Sequence, residues 1–320
     1  MANPPQTAIQ DIPAENNGPI PKQGIDVLHP FPPVKAVIIN AAQPSADAVT
    51  PAERLPNFPF KSTPARIPAS SIEQTDDEHP NDVAGVVFPP DERHIYHDTN
   101  YPFSCIGKVR TAVSTSSGTL VGPRHVLTAS HCVNWTRDAN GNIGWMSFTP
   151  SYYDGRGPWG EFYVTHTLAY KENGRRMTDE QSAWDYAVCV LSEPINTKVG
   201  GTIGTKEYSA SWNGKPYWIS FGYPADLFNA ERPEYQNGCV ISTTETFGNA
   251  QLLGHFNDTF NGQSGGPVWA KWDDQPGPQI VGVVSTSPDV PQTGSTAGDN
   301  QYAGGRAMVD LVKQALRDYP

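Results

Sequence analysis

Thr128-Ala129-Ser130-His131-Cys132 and Gly262-Gln263-Ser264-Gly265-Gly266-Pro267 are the two stretches on which the reading of this chain turns. One offers an imidazole and the other an alcohol inside a glycine-rich turn, the pair that acyl transfer from a peptide bond requires. A free serine hydroxyl has too high a pKa to attack an amide at neutral pH, so a neighbouring imidazole must take its proton as the new bond forms. His131 is the candidate base and Ser264 the candidate nucleophile. The glycines around the serine let the backbone turn tightly, so the amide N–H groups of Gly262 and Ser264 can converge on a developing oxyanion.

Such an imidazole needs a third group that fixes its tautomer and stabilises the imidazolium. Asp185 is the best candidate: it opens Asp-Tyr-Ala-Val-Cys-Val-Leu, an apolar run that reads as a buried strand and places the carboxylate at a strand entrance beside the core. Asp154, Asp179 and Glu180 also lie between histidine and serine, in polar, turn-like surroundings that suit solvated side chains. The order His131, Asp185, Ser264 excludes the Asp-His-Ser order of subtilisins and the Ser-Asp-His order of α/β-hydrolases.

Thr-Ala-Ser-His-Cys, Trp-Asp-Tyr-Ala-Val at 184 to 188 and Gly-Gln-Ser-Gly-Gly-Pro-Val-Trp at 262 to 269 resemble the three triad blocks of the chymotrypsin-like serine peptidases. The closer similarity is to the glutamyl endopeptidase (V8-like) branch, through Pro-Asp-Glu-Arg at 90 to 93, Tyr-Pro-Phe at 101 to 103, Phe-Gly-Tyr-Pro at 221 to 224 and Asp258-Thr259. The resemblance spans residues 86 to 320. It implies an all-β fold of two antiparallel β-barrels with a C-terminal helix: residues 86–200 as the first barrel carrying His131 and Asp185, and 201–320 as the second carrying Ser264 and the helix. The three groups then meet across the cleft between barrels, where ligand sites usually lie. The expected activity is that of a secreted serine endopeptidase acting on polypeptides without a cofactor. A proteolytically silent binding protein on the same fold, or a latent zymogen, is the alternative.

The resemblance also implies that Asp258 and Thr259 line the base of the S1 pocket. Val283 to Ser287, hence Val284, Ser285, Thr286 and Ser287, then form the edge that pairs with the substrate backbone by strand addition. Ser285 is expected beside Asp185, donating to it. Glutamyl endopeptidases usually carry a histidine one residue before the Ser285 position, where this chain has Val284. By electrostatics Asp258 favours a basic P1 residue, yet aspartate and threonine at these places also occur in glutamate-preferring relatives, so P1 stays open between acidic and basic. His255 reads as a core or strand histidine rather than a compensating cation.

A chain of 320 residues is long enough for two domains, and 29 glycines with 31 prolines suit a turn-rich β protein. The net charge of -11 argues against nucleic acid or an anionic membrane surface as partner, and a monomer is expected. Apolar stretches fall short of the roughly 20 residues that span a bilayer. The start, Met-Ala-Asn-Pro-Pro, lacks the charged and apolar regions of a signal peptide, which is expected to be absent or removed.

Of the 31 prolines, 17 fall in the first 90 residues, and residues 1–85 read as a prosegment or linker in which the apolar run Val34 to Ile39 could dock as a strand. The acidic patch Asp76, Asp77, Glu78 is expected to be exposed. The family implies a removable propeptide with maturation near Val86 or Val87. Trypsin-type zymogens pair the new ammonium with an aspartate just before the serine; here that place is Gln263, and the ion pair cannot form.

Beyond residue 105, short β-branched and aromatic runs predict strands at 106–114, 124–128, 162–168, 186–191, 217–221, 239–243 and 280–285, separated by turn clusters. Met308, Leu311, Val312, Ala315 and Tyr319 recur at helical spacing. Four cysteines fit an oxidising compartment. Relatives commonly anchor the histidine loop by a disulfide, which implies Cys105 to Cys132 here, with Cys189 either a free thiol or a partner of Cys239. Asn134-Trp-Thr is a sequon in a surface loop, and Asn257-Asp-Thr one expected to be inaccessible. His94, His97 and Asp98 have ligand-like spacing but no fourth donor nearby, and no metal is expected.

Overall fold

The apolar runs become strands in the computed structural model, which describes residues 32–41, 56, 66–68, 85–287 and 299–320. All of them fall within one compact unit, Pro32–Pro320. In chain order the strands are β1 (Lys35–Ile38), β2 (Arg66–Pro68), β3 (His94–Tyr96), β4 (Ile106–Thr111), β5 (Thr115–Gly122), β6 (His125–Thr128), β7 (Met146–Pro150), β8 (Phe162–Ala169) and β9 (Ala187–Leu191). There follow β10 (Gly204–Thr205), β11 (Trp218–Gly222), β12 (Glu234–Cys239), β13 (Ile241–Phe247), β14 (Ala250–His255), β15 (Pro267–Lys271), β16 (Pro278–Val284) and β17 (Asn300–Gly304). The helices are α1 (Asp179–Ala183), α2 (Asn196–Val199) and α3 (Arg306–Asp318).

The order β8-β7-β4-β5-β6-β9 is antiparallel throughout, and β9 returns to β8 from Val164↔Leu191 to Ala169↔Ala187, closing six strands into a barrel. Closure leaves as open edge only the part of the β7–β8 seam that β7 does not pair, and Ile106, Leu120, Val126, Leu127, Phe148 and Val188 are fully buried in one cluster. β7 pairs only with the first residues of β8, at Phe162 and Tyr163. The rest of that edge, His166 to Ala169, takes β1 in parallel register. The run read from the sequence as able to dock therefore does so: Val34 is fully buried, its carbonyl accepts Ile143 N–H at 2.9 Å, and Ile39 N–H reaches Ala169 O at 2.9 Å.

The second sheet runs β13-β14-β17-β16-β15-β11-β12-β3-β2, with β10 beside β16. Among the described residues this ladder stays an open path, in contrast to the closed first barrel. Its core is aromatic: Tyr208, Trp212, Trp218 and Trp272 pack with ring centroids 5.3 to 6.1 Å apart. β3 precedes the first barrel in sequence but pairs with β12, so the segment around residues 94–96 belongs to the second sheet. α3 buries Met308, Leu311, Val312 and Ala315, four of the five positions read from the spacing, together with Ala307, against β6, β8, β9 and β14, while Tyr319 caps its end half-buried. Among the described residues no helix is long and apolar enough to cross a membrane.

Candidate active site

His131 and Asp185 leave the ends of adjacent strands. β6 and β9 pair up to Thr128↔Ala187, so the turn after β6 and the residue before β9 are neighbours. His131 sits in a 3₁₀ turn, Ser130–Cys132, pinned by Ser130 Oγ donating to Lys171 O (2.6 Å) and Trp135 Nε1 donating to Ser130 O (2.9 Å). On the other side α1 starts with a capping box, Thr178 N–H to Gln181 Oε1 at 2.9 Å and Gln181 N–H to Thr178 Oγ1 at 3.3 Å. It delivers Asp185 to the foot of β9.

The Asp185 side chain has no solvent exposure and four donors. Oδ1 accepts the His131 backbone N–H at 2.8 Å and Asn173 Nδ2 at 3.4 Å. Oδ2 faces His131 Nδ1 at 2.6 Å and accepts Ser285 Oγ at 2.7 Å. A carboxylate only accepts, so the imidazole proton lies on Nδ1 and Nε2 is left as the acceptor. Burial alone would raise the Asp185 pKa, but the His131 charge and the hydrogen bonds from His131 and Ser285 outweigh it and hold the carboxyl below its ordinary range. Burial would lower His131, and the Asp185 charge overrides it, placing the imidazole well above 6.5.

Ser264 sits in a turn that only glycine permits. Gly262 has φ +94°, and a Cβ there would lie 2.3 Å from Tyr223 O; Gly265 has φ +78°, and a Cβ there would lie 2.2 Å from Thr128 Oγ1. The turn is fastened from β5, where Ser117 N–H donates to Ser264 O (2.9 Å) and Ser117 Oγ to Gly262 O (2.8 Å). It is fastened from β16 by Gly265 N–H to Val284 O (2.8 Å) and Val284 N–H to Gly266 O (2.9 Å). With those carbonyls engaged, the N–H groups of Gly262 and Ser264 donate to nothing among the described residues. Ser264 and His131 line one cleft of about 270 Å³, and no hydrogen bond joins their side chains in this structure.

The cleft gathers Thr259, Val284, Ser285, Thr286 and Ser287 with Ser264 and His131. Ser285 N–H and Thr286 O are taken by Gln301, which leaves Ser285 O and the backbone of Ser287 unpaired among the described residues. Asp258 is placed elsewhere than expected. It is 2% exposed, it does not line the cleft, and its carboxylate accepts Phe88 N–H (2.7 Å) and Glu92 N–H (2.8 Å). Burial pushes its pKa up to about 6, and the hydrogen bonds from those two amides offset that only in part. His255 is buried, stacked on Tyr302 at 3.7 Å, and burial pushes it down to about 3, so it supplies no cation at neutral pH.

The expected Cys105 to Cys132 bridge is absent: all four cysteines are buried free thiols, and Cys105 Sγ points to Gly201 O (3.5 Å) instead. His94 and His97 stack on Tyr235 and Tyr153, and Asp98 accepts from Asn100. Among the described residues no group of three His, Cys, Asp or Glu side chains could hold a metal ion. Asn257 is buried and bonded to Tyr302, while Asn134 is partly exposed. Sequence reasoning missed Ser117, which fastens the nucleophile turn, and Gly85 and Arg175, which line the cleft. Nothing in the local pattern marks them, because each reaches the site only through the fold.

The family model described as "Trypsin" matches residues 94–302. A glutamyl endopeptidase of Bacillus licheniformis is 28% identical over 190 residues, 59% of this chain and 56% of that protein. A Bacillus subtilis protein named extracellular metalloprotease is 26% identical over 196 residues, 58% of this chain and 57% of that protein. The chain thus spans little more than half the length of these relatives. Among solved structures, a Glu endopeptidase in complex with MPD superposes with a TM-score of 0.55 at 22% identity, covering 72% of this chain and 100% of that one.

Proposed function

The chain belongs to the trypsin family, and from that premise we propose that it is a serine endopeptidase working through an acyl-enzyme intermediate. The observation that carries the reading is the buried Asp185 holding His131 by both its backbone N–H and its Nδ1, at 2.8 and 2.6 Å. Ser264 Oγ attacks the scissile carbonyl carbon while Nε2 of His131 takes its proton. The imidazolium, stabilised by Asp185, returns that proton to the leaving amine as the C–N bond breaks. Water then attacks the ester by the same route and frees Ser264. The amides of Gly262 and Ser264 receive the oxyanion, and the free edge of Ser285 and Ser287 receives the substrate backbone. None of these steps needs a cofactor.

For P1, the position of Asp258 withdraws the argument for a basic residue. No carboxylate lines the cleft among the described residues, while the Arg175 guanidinium does, which supports an acidic over a basic preference. The glutamyl endopeptidase likeness points the same way. Secretion is supported by the relative named extracellular, and the free thiols add nothing to it.

A latent precursor is a second reading, favoured by Gly85, which lines the cleft, and by Val86, whose carbonyl accepts Thr259 N–H at 3.2 Å. Removal of residues 1–85 near Val86 then opens the site. Digesting a denatured protein mixture with the full chain and with a form cut near Val86, and reading the cut termini by mass spectrometry, tests both readings: turnover confined to the cut form supports latency and equal turnover contradicts it. Cuts after Glu support the acidic assignment, cuts after Lys or Arg contradict it, and cleavage by the Ser264→Ala variant contradicts the mechanism.

A further inference from the structure

Arg93 ends the Pro90-Asp91-Glu92-Arg93 stretch, which no step of the chemistry above uses. Its side chain has no solvent exposure, a costly place for a cation unless paired. It is paired twice. Nη1 and Nη2 donate to the two oxygens of Asp226 at 3.0 and 2.6 Å, and Nε and Nη2 to the two of Asp91 at 3.1 and 2.9 Å. Nη1 also faces Gln263 Oε1 at 3.5 Å.

Gln263 is the residue between the two oxyanion amides, and it too is fully buried. Its Oε1 accepts Phe260 N–H at 2.5 Å, and its Nε2 donates to Glu234 Oε1 at 2.7 Å. Both ends of the side-chain amide are therefore held. Asp226 follows Ala225, a cleft residue whose N–H donates to Asn261 O at 2.7 Å, so the same guanidinium reaches the wall beside the turn. Such fastening matters because glycine at 262 makes the neighbouring peptide cheap to rotate, and rotation would turn an N–H away from the oxyanion.

We propose that Arg93 is a positioning residue, an internal cation that acts through Gln263 to hold the Gly262–Gly265 turn in its oxyanion-binding shape while the N-terminal segment is still attached. In trypsin-type zymogens a cation arrives at this place only when cleavage frees an ammonium. Here it is part of the chain, and an amide at 263 meets it where an aspartate cannot be required. Ordering of the turn does not wait on proteolysis, so any latency of the precursor is steric. The catalytic consequence rests on the peptidase reading; the positioning itself has a readout of its own.

The test uses the full chain in three forms: wild type, Gln263→Met and Gln263→Glu, with Arg93→Met added where it folds. Gln263→Met breaks the link while leaving Arg93 with Asp91 and Asp226. Gln263→Glu keeps acceptors for Phe260 N–H and Arg93, and its second oxygen faces Glu234, whose pKa burial raises well above the ordinary carboxylate range. Amide hydrogen exchange across 260–266 and the kinetics of a small ester are measured together. Gln263→Met is expected to accelerate exchange in the turn and to lower kcat about 10²-fold, the scale of losing one oxyanion donor, with KM nearly unchanged. Gln263→Glu is expected to restore both. Wild-type exchange and kcat in Gln263→Met, or in folded Arg93→Met, overturns the proposal. Faster exchange in a chain whose wild type never turns over would uphold the positioning and count against the peptidase reading.

Discussion

Ser285 Oγ donates to Asp185 Oδ2 at 2.7 Å, the same oxygen that His131 Nδ1 meets at 2.6 Å. A residue of the second sheet thus shares the anion that orients the imidazole of the first barrel. Removing this donor leaves more of the carboxylate charge to His131, so its pKa rises further. The Ser285→Ala variant should move the acid limb of the kcat/KM profile to higher pH and reduce the plateau by no more than about tenfold. An unmoved or lowered limb contradicts the shared-anion assignment.

Because Asp185 holds His131 well above 6.5, the neutral imidazole that acts as base forms only as pH rises past the ordinary histidine range. Activity should therefore climb with pH along a limb centred above 6.5, with its fall at low pH reflecting protonated His131. Asp185→Asn should cost about 10⁴-fold in kcat, since an amide donor facing Nδ1 favours the wrong tautomer. Retention of more than a few per cent of activity would mean that some other group orients the ring.

Asp258 bears on stability rather than on substrate. Its pKa is raised to about 6 from 3.8, so between those values the folded chain binds more protons than the unfolded one, and stability falls as pH rises through that window. That difference corresponds to roughly 3 kcal/mol. Urea denaturation at pH 4 and pH 7 should show that decline in wild type and a flatter dependence in Asp258→Asn. Equal slopes would place the titration on another group.

Val34 is buried in the core although it lies in the segment expected to be removable. Truncation to alanine deletes two buried methyl groups and should cost roughly 2 kcal/mol. If denaturation midpoints of Val34→Ala and wild type coincide, β1 contributes nothing to the barrel.

Where the sequence was legible, the physics was local or carried by spacing. The run after Asp185 is apolar and β-branched and forms β9; the face from Met308 to Ala315 forms α3. The three triad blocks could be named because glycine, histidine and aspartate have few other reasons to stand in those settings. β5 escaped notice because Thr-Ser-Ser-Gly-Thr-Leu-Val-Gly reads as a loop. Its small polar residues are there because Ser117 must pass close under the Ser264 turn, a tertiary demand that no window of β5 reveals. Asp258 was expected in the pocket from the family resemblance, while the amides that capture it come from residues 88 and 92, far upstream. The expected disulfide came from relatives rather than from the chain, whose Cys105 turns toward Gly201.

The central claim is that His131 makes Ser264 a nucleophile, and intact-mass analysis of the full chain after treatment with a small organophosphonate tests it most directly. The account expects a single adduct on Ser264, absent in Ser264→Ala and slowed by orders of magnitude in His131→Ala. An adduct on another residue, or labelling of Ser264 at an undiminished rate without His131, would contradict it.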